Sequence, residues 1–209
     1  MSCTQTSLEA KTECCNGKNS RKETTRTRKA AHITVAAHLP GIIGLLDYRP
    51  ETAKPLLELA QALLVKDSTL TRGERELIAA YVSSLNKCNF CCDSHTAAAE
   101  HLLGDEAAVV AQVKSDLASA PVSEKMRALL VIAGKVQKDA RTVSDEDVAQ
   151  ARAHGATDLE IHDAVLIAAA FCMYNRYVDG LGTVPAPSKE VYDAMGAKLA
   201  AEGYLAAGR

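Results

Sequence analysis

From residue 50 onward, apolar residues recur three and four positions apart, and no stretch alternates with a period of two, so the pattern predicts helices and no strands. Residues 31 to 50 read as a short helix and a loop. Pro50 and Glu51 open a helix that runs to about Lys66, with Leu56, Leu57, Leu59, Leu63 and Leu64 on its apolar side. Pro55 is tolerated only in a first turn, which favours a start near Thr52. Thr71 and Glu74 form a capping box, so the next helix begins near Arg72 and buries Leu77, Ile78, Tyr81, Val82 and Leu85. Asn86 and Lys87 interrupt it, because Asn tolerates the left-handed conformation that ends helices. A further helix spans about Cys88 to Leu103, where Gly104 stops it.

The remaining chain follows the same rules. A short helix runs from Asp105 to about Lys114, and Ser123 caps another to about Lys138. Ser144 and Asp147 box a helix that ends before Gly155. Thr157 and Glu160 open the longest one, to about Val178, ended by Asp179 and Gly180. Pro185 and Pro187 mark a loop, and Ser188 caps the last helix. About eight helices make the fold all-α, with one domain expected over 31–209. The T-x-x-E boxes at Thr71 and Thr157 hint at a duplicated helical unit.

Composition narrows the function. A net charge of −2 carries no nucleic-acid signature. The longest apolar run, Ala164 to Cys172, is about half of a membrane span. No secretory signal is visible, and seven cysteines, an odd number, do not make a secreted disulfide framework. A reducing, cytoplasmic setting is therefore expected. Residues 1–30 are polar, with a basic run from Lys18 to Lys29, and read as a disordered tail holding Cys3, Cys14 and Cys15. Glu9, Glu13 and Glu23 argue against an organelle transit segment. Neither a dinucleotide fingerprint nor a P-loop occurs, so no cofactor is expected.

The chemistry concentrates in 71–104. Cys88 and Cys91 form a Cys-x-x-Cys pair, His95 follows Cys91 by four, and Glu76 precedes Cys88 by twelve. On one unbroken helix Glu76 and Cys88 would lie roughly 18 Å apart. A turn near Asn86 folds the chain back and sets Glu76 beside His95, which shares a helix face with Cys91. The resulting order, carboxylate, imidazole, thiol, suits proton removal from Cys91. Both cysteines fall in a helix's first turn, where the dipole favours a thiolate. Cys88 at the helix mouth is the better placed to resolve an intermediate or meet a donor. Alternatively Cys88, Cys91 and His95 bind zinc, with Glu76, Cys92 or His101 as fourth ligand. Cys92 and Cys172 read as core and His101 as surface. His162, Asn175, Arg176 and Asp179 either pair with one another or line a pocket; structural pairing is the simpler reading.

Glu76, Leu77, Val82, Ser83, Asn86, Cys88, Cys91 and His95, in E-L-x4-V-S-x2-N-x-C-x2-C-x3-H, resemble the core of the alkylhydroperoxidase AhpD family of the carboxymuconolactone decarboxylase-like superfamily. Pro40-Gly41-Ile42, Tyr48-Arg49-Pro50 and Met173-Tyr174-Asn175-Arg176 extend the likeness to its peroxidase-related branch. Where the best-known family enzyme has a histidine before the second cysteine, this chain has Phe90. The resemblance implies an AhpD-like helical fold and a homo-oligomer, a trimer or hexamer. It implies a peroxidase in which Cys91 attacks an organic hydroperoxide, Cys88 closes the disulfide and Glu76 with His95 relays the proton. A dithiol or disulfide-reductase donor would restore the pair. The rivals are a lactone decarboxylase on the same fold and a non-catalytic zinc-binding or redox-sensing module.

Overall fold

A computed structural model describes residues 30–206. The expected tail therefore lies, but for Ala30, outside the described residues, as do Cys3, Cys14 and Cys15. The described residues form nine α-helices, two short 3-10 turns and no strand: α1 Ile42–Tyr48, α2 Pro50–Leu64, α3 Arg72–Leu85, α4 Asn89–Leu103, α5 Ala108–Ser115, α6 Glu124–Asp139, α7 Asp145–Ala153, α8 Asp158–Gly180 and α9 Lys189–Glu202. None of these helices is long and apolar enough to cross a membrane.

Local chemistry sets most boundaries. Reciprocal capping boxes start α3 (Thr71 with Glu74), α7 (Ser144 with Asp147) and α8 (Thr157 with Glu160). Three boxes on unrelated elements carry no argument for duplication. Ser123 Oγ accepts from Met126 N at the head of α6, whereas Ser188 caps α9 by position without a side-chain bond.

Three expectations need correction. First, α2 begins at Pro50, not Thr52, so Pro55 lies inside the helix. Pro55 is exposed, and water can serve the carbonyl that its missing N–H leaves unpaired. Second, the left-handed residue between α3 and α4 is Lys87, at φ 59°, while Asn86 stays right-handed at φ −72°. Third, Cys88 is the N-cap of α4 with an extended backbone (φ −83°, ψ 95°), not its first helical residue.

α3 and α4 form an antiparallel hairpin: Gly73 faces Leu103 at one end, and Glu76 faces His95 further in. Leu77, Ile78 and Val82 of α3 pack into one core with Leu129, Leu130 and Ile132 of α6 and Ile167, Ala168 and Phe171 of α8. α9 lies across α4 at very close range. A Cβ on Gly196 would sit 2.5 Å from the Ala97 Cβ and 2.6 Å from its carbonyl carbon. Ala is favoured over Gly in a free helix by about 1 kcal/mol, but here the obstacle is backbone, so overpacking wins. Gly196→Ala is expected to lower stability by about 1–3 kcal/mol, read in a urea or thermal melt; an unchanged or raised melting temperature would contradict this packing.

Candidate functional site

The hairpin brings three of the four sequence-selected residues into one line. Glu76 is buried, 1% exposed, and its Oε2 lies 2.7 Å from His95 Nδ1. It is not a surface carboxylate despite its charged neighbours in sequence, because the α3 face that carries it is covered by α4. Its other oxygen, Oε1, accepts from the Tyr204 hydroxyl at 2.5 Å, and that hydroxyl also lies 3.2 Å from His95 Nδ1. An ionised carboxylate only accepts, so two donors on two oxygens place a hydrogen on Nδ1 and leave Nε2 of a neutral imidazole free as a base. Phe171 packs edge-on against the imidazole, 4.5 Å between centroids, and restrains its plane.

The cysteines sit at the head of α4. Cys91 is 3% exposed and Cys88 is fully buried. A helix-mouth position does not therefore expose Cys88: Val178, Ala186 and Tyr192 share its apolar cluster. Both thiols are free, and each is the strongest influence on the other: a proton kept on Cys88 supports negative charge on Cys91. That proton, more than anything else, holds the Cys91 thiol below its ordinary value; burial opposes it, and the His95 charge and the Asn175 amide assist. The same pairing, with burial, drives Cys88 up. Cys91 is the third residue of α4, in the turn whose N–H groups lack helical partners and where the helix dipole favours negative charge.

Asn175 is 1% exposed and belongs to the site rather than to a pairing within α8. Its Nδ2 donates to Ser83 Oγ at 3.1 Å, and its Oδ1 accepts from Asn86 Nδ2 at 2.8 Å. Asn86 is fixed in turn by Gln137 Nε2 at 2.9 Å. Three helices thus orient the amide that reaches Cys91. Of the other α8 polar residues, Arg176 turns back onto the Cys172 carbonyl and His162 onto Asp163. His101 pairs at the surface with Asp193, 2.9 Å away. Cys92 and Cys172 are half-buried, each near a donor, Lys114 and Asn86 respectively. Among the described residues no group of three or more His, Cys, Asp or Glu side chains is arranged to hold a metal ion.

Cys91 and His95 open onto a cavity of about 60 Å³ walled by Ile42, Leu46, Leu56, Phe90, Phe171 and Tyr174. Phe90 lies against Gly41, where a Cβ would fall 2.3 Å from the ring; the left-handed φ of 55° there also suits glycine.

A family model for the carboxymuconolactone decarboxylase family matches residues 50–134. A crystal structure described as an alkylhydroperoxidase AhpD core, an uncharacterized peroxidase-related protein from Ralstonia eutropha, is 31% identical over 76% of this chain and 81% of its own, with a TM-score of 0.68. The chain belongs to the carboxymuconolactone decarboxylase family, in its AhpD-like, peroxidase-related branch. Another uncharacterized peroxidase-related protein, from Silicibacter, is 27% identical over 75% of this chain and 80% of its own, with a TM-score of 0.67. A protein of unknown function from Agrobacterium tumefaciens, a candidate antioxidant defence protein AhpD, gives 27%, 71%, 99% and 0.59 in the same terms. No match was found among curated proteins. The AhpD-like assignment and the all-α architecture agree with the motif reading of 71–104. Tyr204 was missed by that reading: it stands alone after Gly203, outside any periodic segment, and no local pattern ties it to a residue in α3.

Proposed function

We propose that this AhpD-like protein is a thiol-dependent peroxidase that reduces organic hydroperoxides through Cys88 and Cys91. The observation that carries the reading is a buried Cys91, held below its ordinary pKa by the neighbouring Cys88 thiol, facing the same cavity as a His95 paired to Glu76. The Cys91 thiolate attacks the outer oxygen of the hydroperoxide. The O–O bond breaks, an alcohol leaves with a proton supplied by the imidazolium of His95, and Cys91 becomes a sulfenic acid. The Cys88 sulfur then attacks the Cys91 sulfur, water leaves, and a disulfide forms; an external dithiol reduces it by exchange. Two electrons pass from two thiols to one peroxide. Apolar cavity walls favour an alkyl substituent over bulk water beside the reacting sulfur. In the extended N-cap conformation Cys88 is already off helical geometry, which supports disulfide closure without unwinding α4.

Mass-spectrometric peptide mapping after one equivalent of an organic hydroperoxide tests this. The expected product is a Cys88–Cys91 disulfide in proportion to peroxide lost, reversed by a small dithiol. Peroxide consumption with both thiols still free, or none by the reduced protein, would overturn the reading. A lactone decarboxylase has no use for the dithiol and would leave both thiols unchanged.

A further inference from the structure

We propose that Tyr204 is a positioning residue that sets the basicity of the Glu76–His95 pair, so that the relay is a triad closed by the segment after α9; this rests on the peroxidase reading above. Tyr204 is buried, 6% exposed, 128 residues from Glu76 in sequence, yet its hydroxyl reaches Glu76 Oε1 at 2.5 Å and its ring stacks near-parallel to the His95 imidazole, 6.1 Å between centroids. The segment has a built seat. Gly203 turns the chain at φ 73°, and Gln61 Oε1 accepts from Tyr204 N at 2.8 Å. Arg72 fastens the end of α9 to α3 through the carbonyls of Ala200 and Leu199, at 2.9 and 3.0 Å. The ring of Tyr204 belongs to the main core, but its hydroxyl is spent on Glu76.

The consequence is electrostatic. A buried carboxylate keeps its charge only as far as donors support it. Glu76 has two, Tyr204 and His95. The charged and titratable groups around the pair are Arg72 and Arg75 on α3, with Asp163 and Asp67 acting on Arg75, Cys91 on α4, and Tyr174 on α8. α2 brings only Leu56, Leu57 and Ala60 to the cavity. Burial and the Glu76 charge hold the phenol protonated, so it remains a donor throughout the working range. Without it, the pair holds its proton more tightly, and the free base is reached only at higher pH.

Tyr204→Phe keeps the ring and removes the donor. His95 titration followed by NMR of the imidazole nitrogens is expected to move up by about one pH unit, a tenfold change in proton affinity, and the acid limb of sulfenic acid formation to move with it. A fluorinated tyrosine incorporated at position 204, a stronger donor of nearly the same shape, is expected to move both the other way. A merely structural Tyr204 would change the melting temperature and leave both midpoints in place; unmoved midpoints with both replacements would overturn the proposal, even if Tyr204→Phe proves less stable. Because the NMR midpoint needs no peroxide, a shift in a protein that fails to form the disulfide would retain the triad and discard the peroxidase.

Discussion

Cys91→Ser is expected to bring dithiol-supported peroxide consumption down to the uncatalysed background, while Cys88→Ser yields one sulfenic acid per chain, trappable on Cys91, and then stops. The asymmetry follows from the influence of each thiol on the other. Cys88 keeps its proton, so negative charge settles on Cys91, which also has His95 and the Asn175 amide beside it. Serine at 91 has no sulfur to oxidise, and Cys88 is fully buried, which disfavours its thiolate, and does not line the cavity. Serine at 88 leaves the nucleophile but removes the resolving sulfur, so turnover stops while the first oxidation survives. The pH dependence has a definite sign. The folded value of Cys91 is depressed below the roughly 8.5 of a free thiol, so the thiolate persists below that figure and is lost as pH falls through the folded value. In Cys88→Ala the strongest support of the thiolate is gone, and the midpoint of sulfenic acid formation is expected to move to higher pH. Trapping on Cys88 in Cys91→Ser would reverse the two roles, and a midpoint unmoved in Cys88→Ala would show that the Cys88 thiol is not what lowers Cys91.

Most of this site is local, and so it was legible. The Thr71–Glu74 box fixes where α3 begins, and the turn at Asn86–Lys87 fixes where it reverses. Counting outward from that turn is enough to oppose Glu76 and His95. What counting cannot deliver is which atom of a residue is used. Asn86 suggested a left-handed backbone, but its side chain bridges Gln137 and Asn175, and Lys87 takes the strained angle instead. Asn175 stands out in the sequence as a polar residue on an apolar helix, but its partners do not, because they depend on how α8 is rotated against α3, a packing result set by Ile167, Ala168 and Phe171. Tyr204 was further out of reach. Its partners Gln61, Glu76 and His95 come from α2, α3 and α4, and only the assembled bundle brings them together.

Glu76→Gln is expected to cost about 10²–10⁴-fold in peroxidase kcat/KM, with a far smaller loss of melting temperature than Glu76→Ala. Glutamine fills the same volume. Its single oxygen faces His95 or Tyr204: with the amide nitrogen toward Tyr204 the hydroxyl must turn to accept, and with it toward His95 the ring must give up its Nδ1 hydrogen and with it the free Nε2 base. Alanine removes both acceptors at a buried position and deprives two polar groups of their partner, a defect of about 1–3 kcal/mol for each that stays unsatisfied. The chemical loss comes from charge as well as geometry. When His95 takes the Cys91 proton, the imidazolium is stabilised by the carboxylate 2.7 Å away; a neutral amide at the same distance stabilises it far less. The proton therefore stays on sulfur, and the loss should appear chiefly in the rate of sulfenic acid formation rather than in resolution by Cys88. Stopped-flow measurement of that first step, beside a melt, separates the two effects. If Glu76→Gln forms sulfenic acid at the wild-type rate, the carboxylate only holds α3 to α4, and Cys91 is activated by Cys88, Asn175 and the α4 terminus alone.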